Sequence, residues 1–417
     1  MVGRPLRGWA RAGVLLTVLV TLAGCGLRSQ APATTASAEA PPDLSGLTWT
    51  VAPEPVLPAT PACAEVGGCD AALNAVACPS SDECWAVGFR EENPALMLAL
   101  PSTTTLTELW RGSTWQVVES PTPAPGEGLN DVECVSVSDC WAVGGGRVGD
   151  GSALIEHWDG DHWLAVSAAG SSGVLGGVSC VTASDCWAAG YALVRSGPYG
   201  MVTGRDPLLL HYGGTSWARV AAPAVAAGVS FDDVDCVSAS DCWAVGDDGS
   251  KPLAAHWDGA SWSVVTTPRP DQVDYLGSIT CVSESDCWMI VTNGLPPGVA
   301  AYLHWNGTAW RVIANPADYV PGSIRCVSAD ECWSMGTTQA NLQSGTQAAS
   351  AELWNGALWT DWFVATPPPP ASPTASAANP AEFGLGPVAC AAPTHCFAVG
   401  QAGLGDGPYA PLIEQLT

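Results

Sequence analysis

The chain has 417 residues, of which 40 are Asp or Glu and 14 are Lys or Arg, giving a formal net charge of -26. That excess repels phosphate backbones and anionic headgroups, which excludes nucleic acid as a partner and leaves solubility or cation binding as uses for the acidity. Seventeen cysteines are many for a reducing compartment and point to disulfides formed after export.

At the N-terminus, Arg4, Arg7 and Arg11 precede an apolar run from Val14 to Val20, and Leu22-Ala23-Gly24-Cys25 follows. Basic, apolar and small-residue regions in that order read as a signal peptide over residues 1–24. The apolar run is too short for a membrane-spanning helix, and no later stretch reaches that length. Leu22-Ala23-Gly24-Cys25 resembles the lipobox of bacterial lipoproteins. The resemblance implies that Cys25 becomes the lipidated first residue of the mature chain, carrying acyl groups such as palmitate. The protein would then be held at the extracytoplasmic face of the cell membrane through its lipid alone. An ordinary signal peptide with a chance cysteine is the alternative. Cleavage removes three arginines and no acid, so the charge moves from -26 to -29. Residues 25–42 have almost no large apolar side chains and cannot offset their ordering entropy, so a disordered tether is expected.

Residues 43–417 are governed by a repeat. The segment C-x-x-x-x-x-C-W-A-V-G occurs, with small variations, at Cys78/Cys84, Cys134/Cys140, Cys180/Cys186, Cys236/Cys242, Cys281/Cys287, Cys326/Cys332 and Cys390/Cys396. Phe397 replaces tryptophan in the last copy. A second motif, W-[DN]-G-x-x-W in its fullest form, follows in the first six copies, as at Trp158 to Trp163 and Trp257 to Trp262. The shortest spacing between copies is 45 residues, which suits four short strands, one blade of a β-propeller.

Alternation and turn residues divide each repeat into strands. Strand a is L-x-x-V-x-C, as in Leu175, Val178 and Cys180. Strand b is Cys-Trp-Ala-Val-Gly, strand c an apolar run such as Ala153 to Trp158, and strand d W-x-V-V, as in Trp262 to Val265. Asp-Gly and Asn-Gly between c and d favour tight hairpins. The seventh repeat supplies a, b and, in Pro411 to Leu416, strand c; its missing strand d matches Ser45 to Val51. The expectation is an all-β, seven-bladed propeller of four-stranded blades over residues 43–417, closed by the N-terminal strand joining the C-terminal blade. Such closure leaves no long free edge.

Two cysteines six apart across a turn face each other in an antiparallel hairpin, within disulfide reach. Seven local bridges are expected at the a-b turns, with an eighth at Cys63/Cys69. Zinc is the competing reading, because His157, His211, His256 and His304 lie on strand c of four repeats; Leu109, Leu353 and Gln415 take their place elsewhere. A histidine hydrogen-bonded between blades is the simpler assignment. The tryptophans follow the second cysteine, end strand c or begin strand d; in the mature chain only Trp362 falls outside this pattern.

W-[DN]-G-x-x-W partly resembles the Asp-box of sialidase-like propellers, S-x-D-x-G-x-x-W at the c-d turn, although here Asp and Gly are adjacent and the serine is absent. The resemblance bears on fold. A sialidase needs three arginines on inner strands, and only Arg325 lies on a strand a, so no sialidase activity is expected. No nucleophile elbow, phosphate loop or H-E-x-x-H motif is present, and no catalytic residue is assigned. Strand a carries Asp131 and Glu133 in the second repeat and Asp232, Asp233 and Asp235 in the fourth. These acids are read as solvated channel carboxylates, as a site for a cation such as calcium, or as an acid/base pair.

All sizeable insertions fall in b-c and d-a loops, on one face: Tyr191 to Pro207, Thr337 to Ala349 and the Pro/Ala/Ser-rich Thr366 to Phe383. Binding through that face is expected, with Tyr191, Arg195, Tyr199, Arg205, Arg269, Asp274, Tyr275 and Tyr319 as candidate contacts. The expected function is a monomeric, membrane-tethered binding or assembly scaffold for a cell-envelope protein or glycan, needing no cofactor. The alternative is a polysaccharide hydrolase or lyase using the channel acids.

Overall fold

A computed structural model describes residues 44, 46–57, 69–92, 102–124, 126–146, 152–168, 170–196, 201–225, 228–248, 251–268, 270, 275–292, 300–315, 319–338, 348–362, 364, 381–404 and 409–417. The segments read as signal peptide and tether, with Cys25, and also Cys63, lie outside them. The described residues form strands and turns, without a helix. After the short β1 (Trp49–Val51), each repeat forms one antiparallel four-stranded unit, or blade, those of the second and third repeats being joined into one eight-stranded sheet by the Gly145↔Val174 pair.

Blade one holds β2 (Asp70–Ser80), β3 (Glu83–Glu92), β4 (Ser102–Arg111) and β5 (Trp115–Val118). Blade two holds β6 (Glu127–Ser136), β7 (Asp139–Gly146), β8 (Ala153–Trp158) and β9 (Trp163–Val166). Blade three holds β10 (Gly173–Thr182), β11 (Asp185–Ser196), β12 (Met201–Tyr212) and β13 (Trp217–Val220). Blade four holds β14 (Ser230–Ser238), β15 (Asp241–Asp247), β16 (Pro252–Trp257) and β17 (Trp262–Val265). Blade five holds β18 (Tyr275–Ser283), β19 (Asp286–Thr292), β20 (Ala300–Trp305) and β21 (Trp310–Ala314). Blade six holds β22 (Tyr319–Ser328), β23 (Glu331–Thr338), β24 (Ala348–Trp354) and β25 (Trp359–Trp362). Blade seven combines β26 (Ala381–Ala392), β27 (His395–Leu404) and β28 (Ala410–Leu416) with β1. Trp49 pairs with Leu416 and Val51 with Glu414, so the N-terminal strand stands where strand d was missing.

The first strand of each blade packs beside that of the next, from β2 through β6, β10, β14, β18 and β22 to β26, and β26 also lies beside β2. Core side chains therefore fill the seams between blades. At one seam Trp85, Val87 and Leu109 of blade one meet Leu154, Trp158 and Trp163 of blade two. The strand-b tryptophan is the pivot of each seam. Trp187 meets Trp262 of the next blade edge-on at 5.2 Å and Trp257 at 4.8 Å, and Trp243 repeats this with Trp310 and Trp305. Such pairs add about 0.5–1.5 kcal/mol each beyond area burial. Trp49 meets Trp333 edge-on at 5.4 Å, which gives the N-terminal strand the same role. Trp362, outside the sequence pattern, packs on Trp333 at 5.3 Å.

Every repeated cysteine pair is bonded: Cys78–Cys84, Cys134–Cys140, Cys180–Cys186, Cys236–Cys242, Cys281–Cys287, Cys326–Cys332 and Cys390–Cys396, with Cα separations of 3.9–4.1 Å. Each closes a short loop worth about 2 kcal/mol in the chain-entropy account. These are the seven bridges expected at the a-b turns, and they also reach into the core. The first cysteine of each pair is half-buried, but the second is core: Cys84, Cys140, Cys186, Cys242, Cys287, Cys332 and Cys396 have no exposed surface. Alternation along strand b is the cause, because it sends the cysteine and the next residue into opposite seams. Cys84 packs among Ala389 and Phe397 of blade seven while Trp85 faces blade two, and Cys140 in turn packs beside Trp85 and Leu109 of blade one. Cys186, Cys242, Cys287, Cys332 and Cys396 likewise meet Trp141, Trp187, Trp243, Trp288 and Trp333 of the preceding blade. These seven sulfurs are thus structural, closed off from solvent and from any ligand. Cys69 is also disulfide-bonded.

The three insertions read as loops are not loops throughout. β11 and β12 continue as a ladder from Tyr191↔Pro207 to Ser196↔Met201, so residues 191–196 and 201–207 are strand. Likewise Thr337 and Thr338 pair with Ala349 and Ala348, and Ala381 to Phe383 begin β26. Alternation of Tyr, Leu, Val and Thr with polar residues supports strand extension past the blade, where no partner sheet demands it.

Candidate functional site

Each strand a departs from regular pairing about four residues before its first cysteine, with register shifts such as Leu73/Ala75, Leu129/Asp131 and Phe231/Asp233. A bulge re-aims side chains, and here it turns polar groups toward the neighbouring strand a, which offers no ladder of its own. Asn74 Nδ2 donates to Leu129 O at 2.7 Å, and Asn130 Nδ2 to Leu175 O at 2.9 Å. Asp131 accepts the Val178 N–H at 2.8 Å. Asp233 accepts those of Val234 and Ile279, at 2.8 and 2.9 Å. Asp235 accepts the Cys281 N–H at 2.6 Å through one oxygen, and the Cys236 N–H and Ser179 hydroxyl through the other. Thr280 takes the Cys326 N–H at 3.3 Å. These side chains stitch blade to blade.

Together they line a central cavity of about 360 Å³ that holds Asp131, Glu133, Asp232, Asp233, Asp235 and Arg325. Arg325 reaches across to Glu133 at 3.7 Å, a single guanidinium among the acids. Burial, and then the charge of Asp233, push the Asp131 carboxyl well above its ordinary value. Burial raises Asp233 to about 7 against the pull of its backbone donors. Asp232 rises to about 6 through burial and Asp247, with Arg205 opposing. Glu133 is raised by burial and held back by Arg325. Gly177 packs against Asp233: a Cβ there would sit 2.6 Å from Asp233 Oδ1. The acids singled out in the sequence thus share one cavity, but three of them hold backbone N–H groups. Their partners lie one repeat away, which a reading within the repeat misses. Among the described residues no three His, Cys, Asp or Glu side chains are grouped to hold a metal ion.

The strand-c histidines are structural. His157, His211 and His304 each contact the aspartate before the second cysteine (Asp139, Asp185 and Asp286) at 2.8 Å, and His256 contacts Asp241 at 3.2 Å. Each ring also lies against the tryptophan of its own strand b, His157 on Trp141 at 4.2 Å and His304 on Trp288 at 4.2 Å. The partner is thus within the blade rather than across a seam. The signal was present in the sequence: Asp precedes the second cysteine in all four histidine repeats, whereas Glu83, Glu331 and His395 stand there in the others.

Of the candidate contact residues, Tyr191, Arg195 and Arg205 lie on the β11–β12 extension, a two-stranded arm. The Arg205 guanidinium stacks over the Tyr191 ring at 4.3 Å. Arg195 and Arg205 are both exposed, and Met201 and Val202 at the start of β12 are 66% and 47% exposed. Tyr275 and Tyr319 open β18 and β22. Tyr199, Arg269 and Asp274 lie outside the described residues.

The repeated four-stranded blades, packed strand a to strand a around a cavity, define a β-propeller. No family model and no curated protein matches the chain. Among solved structures, U3-55K shares 10% identity at a TM-score of 0.51, over 83% of this chain and 96% of its own. A structure described as YCF48 bound to D1 peptide shares 13% identity at 0.49, over 90% and 98%. YCF48 from Cyanidioschyzon merolae shares 12% at 0.49, over 88% and 98%. At such identities the likeness to U3-55K concerns fold alone, and it agrees with the propeller.

Proposed function

We propose that residues 43–417 form a closed seven-bladed ring, tethered through a lipidated Cys25 at the extracytoplasmic face of the cell membrane. The ring acts as a binding or assembly scaffold for a cell-envelope protein. The observation that carries this reading is the arm of blade three. Cross-strand pairing places Tyr191, Leu193, Arg205 and Pro207 on one of its faces, a mixture of aromatic, aliphatic and guanidinium groups typical of contact hot spots. Strand β13 covers β12 only from Leu209 to Tyr212. Pro207 and the irregularity after Val194 disfavour further strand pairing along the rest of that edge, so its side chains make the contact. Replacing residues 192–206 with a short Gly-Ser turn should preserve the melting temperature and abolish capture of the partner in a pull-down from the native envelope. Undiminished capture would refute the reading.

Catalysis by the channel acids is the second reading, favoured by the raised carboxyls of Asp131 and Asp233. It requires turnover of an envelope polysaccharide that disappears in Asp233→Asn. The scaffold reading expects no turnover in either protein.

A further inference from the structure

Four glutamates occupy one position of the repeat, two residues before the end of the strand-c core. They are Glu108, Glu156, Glu352 and Glu414, facing Ala86, Ala142, Ser334 and Ala398 on strand b. All four have no exposed surface. Their flanking residues point into seams: Leu106 and Trp110 meet Phe397 and Ile413 of blade seven, and Leu154 and Trp158 meet Trp85 and Val87 of blade one. Trp354 meets Trp288 and Tyr302 of blade five, and Leu412 and Leu416 meet Trp333 and Met335 of blade six. Alternation sends each glutamate into the same seam. Both carboxyl oxygens of Glu108 and of Glu414 lack a hydrogen-bond partner.

In blades three, four and five the equivalent residues are Leu210, Ala255 and Leu303, opposite Ala188, Ala244 and Met289. The acids therefore occupy the contiguous blades six, seven, one and two, centred on the blade that joins the two chain ends. Glu54 adds to this region; its Oε1 accepts the Ile413 N–H at 2.8 Å.

We propose that protonation of these seam glutamates latches blades six, seven, one and two, so that alkaline pH loosens this half of the ring while blades three to five stay packed. The latch rests on the ring reading above. The charged groups acting on the four are acidic: Glu54 on Glu108, Glu127 on Glu156 and Asp361 on Glu352. Glu414 has burial alone. The Ser120 hydroxyl beside Glu156 and the Tyr302 hydroxyl, 2.7 Å from Glu352, oppose the rise. Burial raises Glu54, Glu108, Glu156 and Glu414 to about 8, and Glu352 to about 7. A carboxyl raised in the folded state binds more protons than the unfolded chain between its ordinary value and the raised one. Its contribution is complete at acidic pH and is lost as pH rises toward 8.

The test is hydrogen exchange of the full chain at pH 6 and pH 9, corrected for intrinsic rates. Protection of β1 and β28 should fall on the order of tenfold or more, and that of β11 and β15, which border no glutamate seam, by less than about twofold. In Glu108→Gln/Glu414→Gln the loss should shrink at both strands. Should that variant fail to fold, Glu108→Leu/Glu414→Leu places the residue found at positions 210 and 303. Protection independent of pH, a uniform loss across all blades, or an undiminished loss in the folded variant would overturn the latch. Failure of the ring reading is separately visible at pH 6, where removing residues 412–417 would leave stability unchanged.

Discussion

Replacing Asp235 with alanine removes one of the two aspartate acceptors that join blade four to blade five. The Cys281 N–H, 2.6 Å from Asp235 Oδ2, and the Cys236 N–H, 2.9 Å from Oδ1, then lose this partner. The Ser179 hydroxyl still stands 3.1 Å from the Cys236 N–H, so one buried donor is orphaned outright. A hydrogen bond to a charged group contributes about 1.5–3 kcal/mol, and an orphaned buried donor costs about 1–3 kcal/mol. A loss of about 3 kcal/mol is therefore expected for Asp235→Ala, and about 1 kcal/mol for Asp235→Asn, which keeps an acceptor oxygen. Urea unfolding followed by tryptophan fluorescence reads both as shifts of the midpoint. An unchanged midpoint in Asp235→Ala would refute the stitching role and return the channel acids to ligand binding or catalysis.

Gly177→Ala should destabilise by about 1–3 kcal/mol, because the new methyl lands 2.6 Å from Asp233 Oδ1 and 2.9 Å from the Asp233 Cα; wild-type stability would show that Asp233 has room to move. Intact mass of the exported protein should show Cys25 acylated and its other sixteen cysteines oxidised; free thiols would contradict the disulfide assignment, and an unmodified Cys25 the tether.

The blades are legible because their markers are local. A cysteine pair six apart and an Asp-Gly or Asn-Gly turn each specify a hairpin within one repeat, whatever lies around it. The c strand from Ala153 to Trp158 and the d strand from Trp262 to Val265 have those bounds in the structure. What escapes depends on neighbours. The pairing of Cys134 with Cys140 follows from the turn between them, but the burial of Cys140 follows from blade one, which covers it. Asp131 and Asp235 read as channel acids because Val178 and Cys281, which supply their N–H donors, belong to the next repeat. Glu108 and Glu414 escape notice because a glutamate on a strand ordinarily faces water, and only the packing of adjacent blades buries it. The arm reads as a loop because the repeat ends its b and c strands near Gly190 and Leu208, and nothing in the period predicts which blades run on or how far.

Closure of the ring by the two chain ends is the central claim, and removal of residues 412–417 tests it most directly. Leu412, Ile413 and Leu416 are 2%, 0% and 1% exposed. Each large-to-small loss at such a site costs about 2–5 kcal/mol. Their joint loss, with β1 left unpaired, approaches the whole stability of an ordinary domain. A melting temperature lower by about 10 °C or more at pH 6, or no cooperative transition, is the predicted result. A truncated protein that melts like the full chain would contradict the account.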